Sequence, residues 1–235
     1  MHISDGVLPA WVLVAGWGVL ITTLAITAAW SRKKIGNISE KIPLIAVVTA
    51  AFFIACLVSL PVPPTSLHLV LSGLVGILLG PLAPICIFIG LLLQALLFHN
   101  GGVTVLGVNG AVMGLPAVLA WFVFKALTKK ANTAISAGLA SAFSIFISTV
   151  LLAVIFAAAG IHFGGLAELA DIASGIPVLS SVVSALANSA FGRTVVLLLL
   201  MNLPLMIIEG IIGAFIVPFI EKVKPEMLEL YKQRN

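Results

Sequence analysis

Apolar residues in this chain come in long unbroken runs, punctuated by prolines, glycines and short basic clusters rather than alternating with polar residues. Runs of that kind favour membrane-crossing helices over the strands of a barrel. Seven are predicted. The first covers residues 7–30 and stops at Arg32-Lys33-Lys34. The second covers 43–60, with Pro43 suited to a first helical turn, and runs out into Pro61-Val62-Pro63-Pro64, through which no helix continues. The apolar stretch that follows is too long for one span and is divided at Gly80-Pro81 into a third span, 66–79, and a fourth, 81–98. At a rise of about 1.5 Å per residue the third reaches only about 21 Å, against a hydrocarbon core of about 30 Å, so its start is predicted to lie below the membrane surface, inside protein. The fifth ends near 124, the sixth covers 134–159 and the seventh 194–217. Between the last two, residues 160–192 are mixed in character and fit either an interfacial helix or a re-entrant piece.

Composition agrees. Of 235 residues 61% are hydrophobic and 9% charged, where soluble chains average about 25% charged. The mean hydropathy is +1.26. The fold class is therefore an all-α integral membrane protein, a single transmembrane domain over 1–235 with a short tail from about 221. Placement of charge orients it. On a seven-span map Arg32, Lys33, Lys34, Lys41, Lys125, Lys129, Lys130, Lys222, Lys224, Lys232 and Arg234 share one side, which the positive-inside rule makes cytoplasmic; only Arg193 falls opposite. The N-terminus is then outside and the C-terminus cytoplasmic. All four histidines, His2, His68, His99 and His162, map to the outer face. The net charge of +4 gives no reason to expect nucleic acid as a partner.

Several features are read as architecture. Gly73, Gly76 and Gly80, and again Gly107, Gly110 and Gly114, lie at offsets of three and seven, each a smooth helical stripe for close packing. Cys56 and Cys86 sit in apolar runs without a CxxC pairing and are expected to be buried and unpaired. The first apolar stretch is preceded by an acid, Asp5, and no base, the reverse of a cleavable signal. No GxxxxGK[ST] phosphate loop, HExxH or GxSxG occurs, so neither ATP hydrolysis nor catalysis is expected of this chain.

Candidate chemistry gathers at the outer face. With Met1 as a free terminus, its α-amine, the His2 backbone nitrogen and the His2 imidazole can close two fused chelate rings on one ion. A fourth nitrogen completes a square, a geometry that suits Ni2+ or Cu2+ and can hold Co2+. His2 as the second residue of a frayed end is the plain alternative. His68, just past the proline-rich turn, is the natural fourth nitrogen; on its own it would be an interfacial polar residue. A ligand histidine needs an acceptor for its other ring nitrogen, and Thr65, Ser66 and Asn109 are candidates. His99, ahead of Asn100-Gly101-Gly102, is a weaker entry ligand, a donor behind the metal ligands or a solvated loop residue. Asp5 is placed to hydrogen-bond the terminal loop. Gln94 and Asn109 are amides in apolar spans and are expected to bond loop backbone. Glu209 is a functional candidate as an intramembrane carboxylate, but its span position puts it far from the outer histidines and favours a packing or partner role.

Met1-His2-Ile3-Ser4-Asp5-Gly6-Val7-Leu8-Pro9 resembles the start of the CbiM/NikM family, the substrate-binding membrane components of cobalt and nickel energy-coupling-factor transporters. So do Ser66-Leu67-His68 leading to Gly76-Ile77-Leu78-Leu79-Gly80-Pro81, the stretch from Gln94 through Gly101-Gly102 to Asn109, and Glu209-Gly210-Ile211-Ile212 through Lys222-Val223-Lys224-Pro225-Glu226. One departure stands out: the family commonly has His directly before the Gly-Gly pair, where this chain has Asn100 preceded by His99. The resemblance implies seven membrane helices and a metal held by the Met1 amine, the His2 amide and imidazole, and His68. It also implies Ni2+ or Co2+ as the transported substrate, with no organic cofactor. The implied partners are a transmembrane scaffold subunit and two ATP-binding-cassette ATPases, with a small accessory membrane subunit as a further candidate. Small residues at a spacing of four, Ala25 and Ala29, match stripes that such components use to dock the scaffold. The rival readings are a membrane-embedded metal-dependent enzyme, which would need a catalytic acid or base near the site, and a component for an organic vitamin, which would need an aromatic or polar pocket.

Overall fold

In the computed structural model the described residues are 3–34, 38–62, 65–161 and 189–228. They form seven α-helices: α1 Ala10–Lys34, α2 Ile42–Leu57, α3 Ser72–Leu79, α4 Ala83–Phe98, α5 Leu106–Leu127, α6 Thr133–Ala158 and α7 Ala190–Val223. Six apolar helical stretches are long enough to cross a membrane, α3 and α4 counting as one run. By itself α3 has eight residues and cannot cross. The helix ends depart from the sequence-based boundaries most in α7, which extends to Val223 before a 3-10 turn, Pro225–Leu228, whose Leu228 is buried in the core. The proline-rich turn holds an element the apolar pattern did not predict. Strands β1 Ser59–Val62 and β2 Thr65–His68 pair antiparallel, with Ser59 opposite His68.

The chain reverses at Gly80. Along α3, Gly76 lies against the Ala117 carbonyl and Gly80 against Trp121, so α3 descends beside α5 in the same direction. Pro84, at the start of α4, is back beside Gly114, so α4 climbs the other way. Gly80 makes the turn possible with φ +54 and ψ −129, a backbone state that a side chain would strain. Its partner α1 runs parallel to α5, with Gly16 at Val108, Leu20 at Gly110 and Trp30 on Trp121. Helices α6 and α7 are antiparallel, Gly138 meeting Gly210 and Ala214. The two glycine stripes therefore do not face each other: that of α3 packs on α5 and α6, and that of α5 packs on α1 and α4.

This arrangement divides the interior. Every residue of α3 is buried, as its short reach predicted, and α3 fills a large core with α2, α4, α5 and α6. A second, smaller core lies at the other end of α5. There Ile3, Leu8 and Val12 pack with Val105, Val108 and Val112 of α5, Leu152 and Phe156 of α6 and Leu198 of α7. The amino-terminal segment is thus a core element rather than a loose tail. Cys56 and Cys86 are buried and free, as expected.

Candidate metal centre

The amino-terminal segment is held by a set of directed bonds. Ile3 is clamped at two points: its backbone N–H donates to Asn109 Oδ1 and its carbonyl accepts from Asn109 Nδ2, both at 3.0 Å. Both partners are buried, so the amide of Asn109 satisfies two main-chain groups that would otherwise be stranded in an apolar core. Two residues on, the Asp5 N–H donates to the Gly101 carbonyl at 2.9 Å. The Asp5 carboxylate accepts from the Thr104 hydroxyl and, at 3.3 Å, from the Val105 N–H. Helix α5 has no side-chain cap of its own at Val105, so Asp5 supplies one from a hundred residues away and places negative charge at a helix N-terminus.

The loop that follows α4 is shaped to admit this segment. His99 ends α4 with φ 55, and Gly101 and Gly102 continue with φ 83 and 124. A Cβ on Gly102 would overlap the Asp5 carboxylate, so the second glycine is where the loop and the acid come into contact. Trp17 Nε1 donates to the Thr104 carbonyl at 3.1 Å and ties α1 to the same loop. His99 itself is exposed.

His68 belongs to a second polar knot. It closes β2, is half-buried, and its ring hydrogen-bonds the Cys56 backbone; burial pulls the imidazole below its ordinary pKa. A neutral imidazole is the form that binds metal. Immediately beyond it, the N–H groups of Val70 and Leu71 donate to Glu209 Oε1 at 2.7 and 2.8 Å. Helix α3 also lacks a side-chain cap of its own, and its N-cap residue Leu71 sits at φ 52. The expectation that Glu209 lies far from the histidines is corrected: because α3 begins deep in the bundle, the middle of α7 meets the chain two residues after His68.

The predicted site residues thus divide. Asp5 and Asn109 meet at the amino-terminal segment, together with Thr104, which sequence reasoning had not singled out. Asn109 bonds Ile3 rather than the His68 ring, so it is not the acceptor proposed for that ring. Gln94 reaches the Phe53 carbonyl of α2 at 3.4 Å, helix backbone instead of loop. Met1, His2 and His162 lie outside the described residues, as do the side chains of Thr65 and Ser66. Among the described residues no three of His, Cys, Asp and Glu converge. Of the nitrogen ligands expected from the sequence, His68 is the one that falls among the described residues.

Comparison with known proteins follows this geometry. The family model CbiM, cobalt uptake substrate-specific transmembrane region, matches residues 2–227. A candidate metal transport protein of Haemophilus influenzae is 32% identical over 97% of both chains. A candidate cobalt transport protein of Methanocorpusculum labreanum is 33% identical over 97% of this chain and 92% of its own. A crystal structure of a transition metal transporter superposes with a TM-score of 0.73 at 22% identity, covering 100% of each chain, which supports the fold. With its apolar helices, its clamped amino-terminal segment and a family match that runs nearly end to end, the chain belongs to the CbiM family of multi-pass membrane proteins.

Proposed function

We propose that this protein is the substrate-specificity subunit of an ATP-driven energy-coupling-factor importer that captures Ni2+ or Co2+ from outside. The Met1 amine, the His2 backbone and imidazole nitrogens and His68 form its four-nitrogen site. The observation that carries the reading is the two-point clamp of Asn109 on Ile3. A protein invests two buried hydrogen bonds in its third residue when the register of the residues before it matters, and a chelate built from a terminal amine and the next residue demands that register. Membership of a cobalt-uptake family supports metal as cargo.

In this reading the alternating helix directions put the basic clusters after α1 and α5 on the cytoplasmic side, and the terminus and hairpin outside. The exposed Ala25 and Ala29 of α1 suit the face that meets a membrane scaffold subunit. ATP hydrolysis falls to two separate ATPases. Binding requires loss of protons from the amine and the His2 amide, so metal affinity falls as the pH drops. A tetragonal nitrogen set also rejects Mg2+, which needs octahedral oxygen ligands.

The test is metal content of the purified protein with its native terminus, beside a variant with one residue added before Met1, each loaded with Ni2+ and with Co2+. About one bound ion in the first and none in the second is expected from the single chelate. Equal retention by both forms, or by neither, overturns the site.

A further inference from the structure

Two acids hold the outer ends of helices that cannot cap themselves, and only one of them has an assigned role. Asp5 caps α5 beside the terminal segment. Glu209 does the same for the entry to α3, at 1% exposure in the middle of a helix of the bundle. A carboxylate is costly there, so the bonds it makes matter. Its Oε1 takes both the Val70 and the Leu71 N–H, at 2.7 and 2.8 Å, while Oε2 has no hydrogen-bond partner. One oxygen therefore fixes two successive peptide planes. Those planes set the direction in which the chain leaves β2, and Leu71 is held at φ 52, a conformation a leucine avoids unless its surroundings impose it. Upstream the segment is fixed by the Leu69 N–H to the Val58 carbonyl at 3.2 Å. His68 lies immediately ahead of both anchors, at the end of β2 opposite Ser59.

We propose that Glu209 is a positioning residue for the metal-binding histidine: through the Val70 and Leu71 N–H groups it fixes the backbone that presents the His68 imidazole to the ion. The inference rests on His68 being the fourth nitrogen. It adds that the aim of that nitrogen is set from α7, by a residue that does not touch the metal. Removing Glu209 should leave the three terminal nitrogens bound while the fourth place passes to water, with affinity falling about 10- to 100-fold, the range for groups that orient a ligand.

Cu2+ is a suitable probe because it takes the same tetragonal nitrogen set and reports its ligands in its visible band and in the nitrogen hyperfine pattern of its paramagnetic resonance. Five full-length proteins with native termini would be loaded with Cu2+: the parent, His68→Ala, Glu209→Leu, Glu209→Gln and Glu209→Asp. His68→Ala should move the visible band to longer wavelength as oxygen replaces nitrogen. Glu209→Leu should reproduce that shifted spectrum. Glu209→Gln keeps the accepting oxygen and should keep the parental spectrum, although its buried NH2 lowers the thermal transition, so spectrum and stability separate. Glu209→Asp, one methylene shorter, serves if the leucine variant gives no folded protein, and should show a mixture of the two spectra. A parental spectrum in Glu209→Leu, or failing that in Glu209→Asp, overturns the positioning role while leaving the site intact. Identical spectra for the parent and His68→Ala overturn the site itself, and this inference with it.

Discussion

The two ends of α5 are packed by different means. At the end away from the amino-terminal segment, close approach of smooth surfaces does the work: a Cβ on Gly76 would lie 2.0 Å from the Ala117 carbonyl oxygen, and one on Gly80 3.1 Å from the Trp121 indole nitrogen. Such contacts rely on the absence of side chains and on dispersion over a large area, as helices in a bilayer require. At the end beside the amino-terminal segment Gly107 and Gly110 also pack closely on α1, and directed polar bonds are added to that packing, Asn109 to Ile3 and Asp5 to Thr104 and Val105. Smooth packing sets distance but tolerates sliding, whereas paired hydrogen bonds set register to a single residue. The second kind is found at the amino-terminal segment and again where Glu209 holds the entry to α3.

The largest way to break this contrast is Gly76→Val. No rotamer escapes the Ala117 carbonyl, the cost is on the order of 3 kcal/mol or more, and the yield of monodisperse protein should collapse whether or not metal is present. Asn109→Leu attacks the other end. It strands the Ile3 N–H and carbonyl, a penalty of about 2–4 kcal/mol if the segment stays docked. Undocking relieves that penalty, so the thermal transition should fall only modestly while Ni2+ affinity, read by titration calorimetry, drops at least about tenfold. A variant with a strongly lowered transition and unchanged affinity would show that the clamp serves the fold alone. The smallest effect is expected for Asp5→Ala, which removes bonds at an exposed position: about 1 kcal/mol of stability, with a severalfold loss of Ni2+ affinity in the same titration.

Much of the helical frame was legible because membrane-length apolar runs leave the backbone few choices. The burial of α3 was legible too, from its length alone. What escaped has a common cause. The hairpin 59–68 is too short to show a period, and its prolines read only as a helix break. The pairing of Asn109 with Ile3 joins residues 106 apart, and nothing local marks it. Glu209 was recognised as an unusual intramembrane acid, yet its neighbour was misjudged. Distance was counted along α7 alone, with all the histidines mapped to the outer face, and the depth expected for the start of α3 was not carried over to His68. The reversal at Gly80 moves that start inward and brings the acid to the residues after His68. The residues of chemical interest were visible by type; their partners depended on the depth of one short helix.

The place of Ile3 in the outer core has a consequence for biogenesis. Residues 3–8 leave the ribosome well before the surfaces that enclose them, Val105 and Val108, Leu152 and Phe156, and finally Leu198. Order of synthesis and order of assembly are therefore opposed at this end of the molecule. The segment cannot be enclosed until α5, α6 and α7 have been made, so its seating is a late event of maturation.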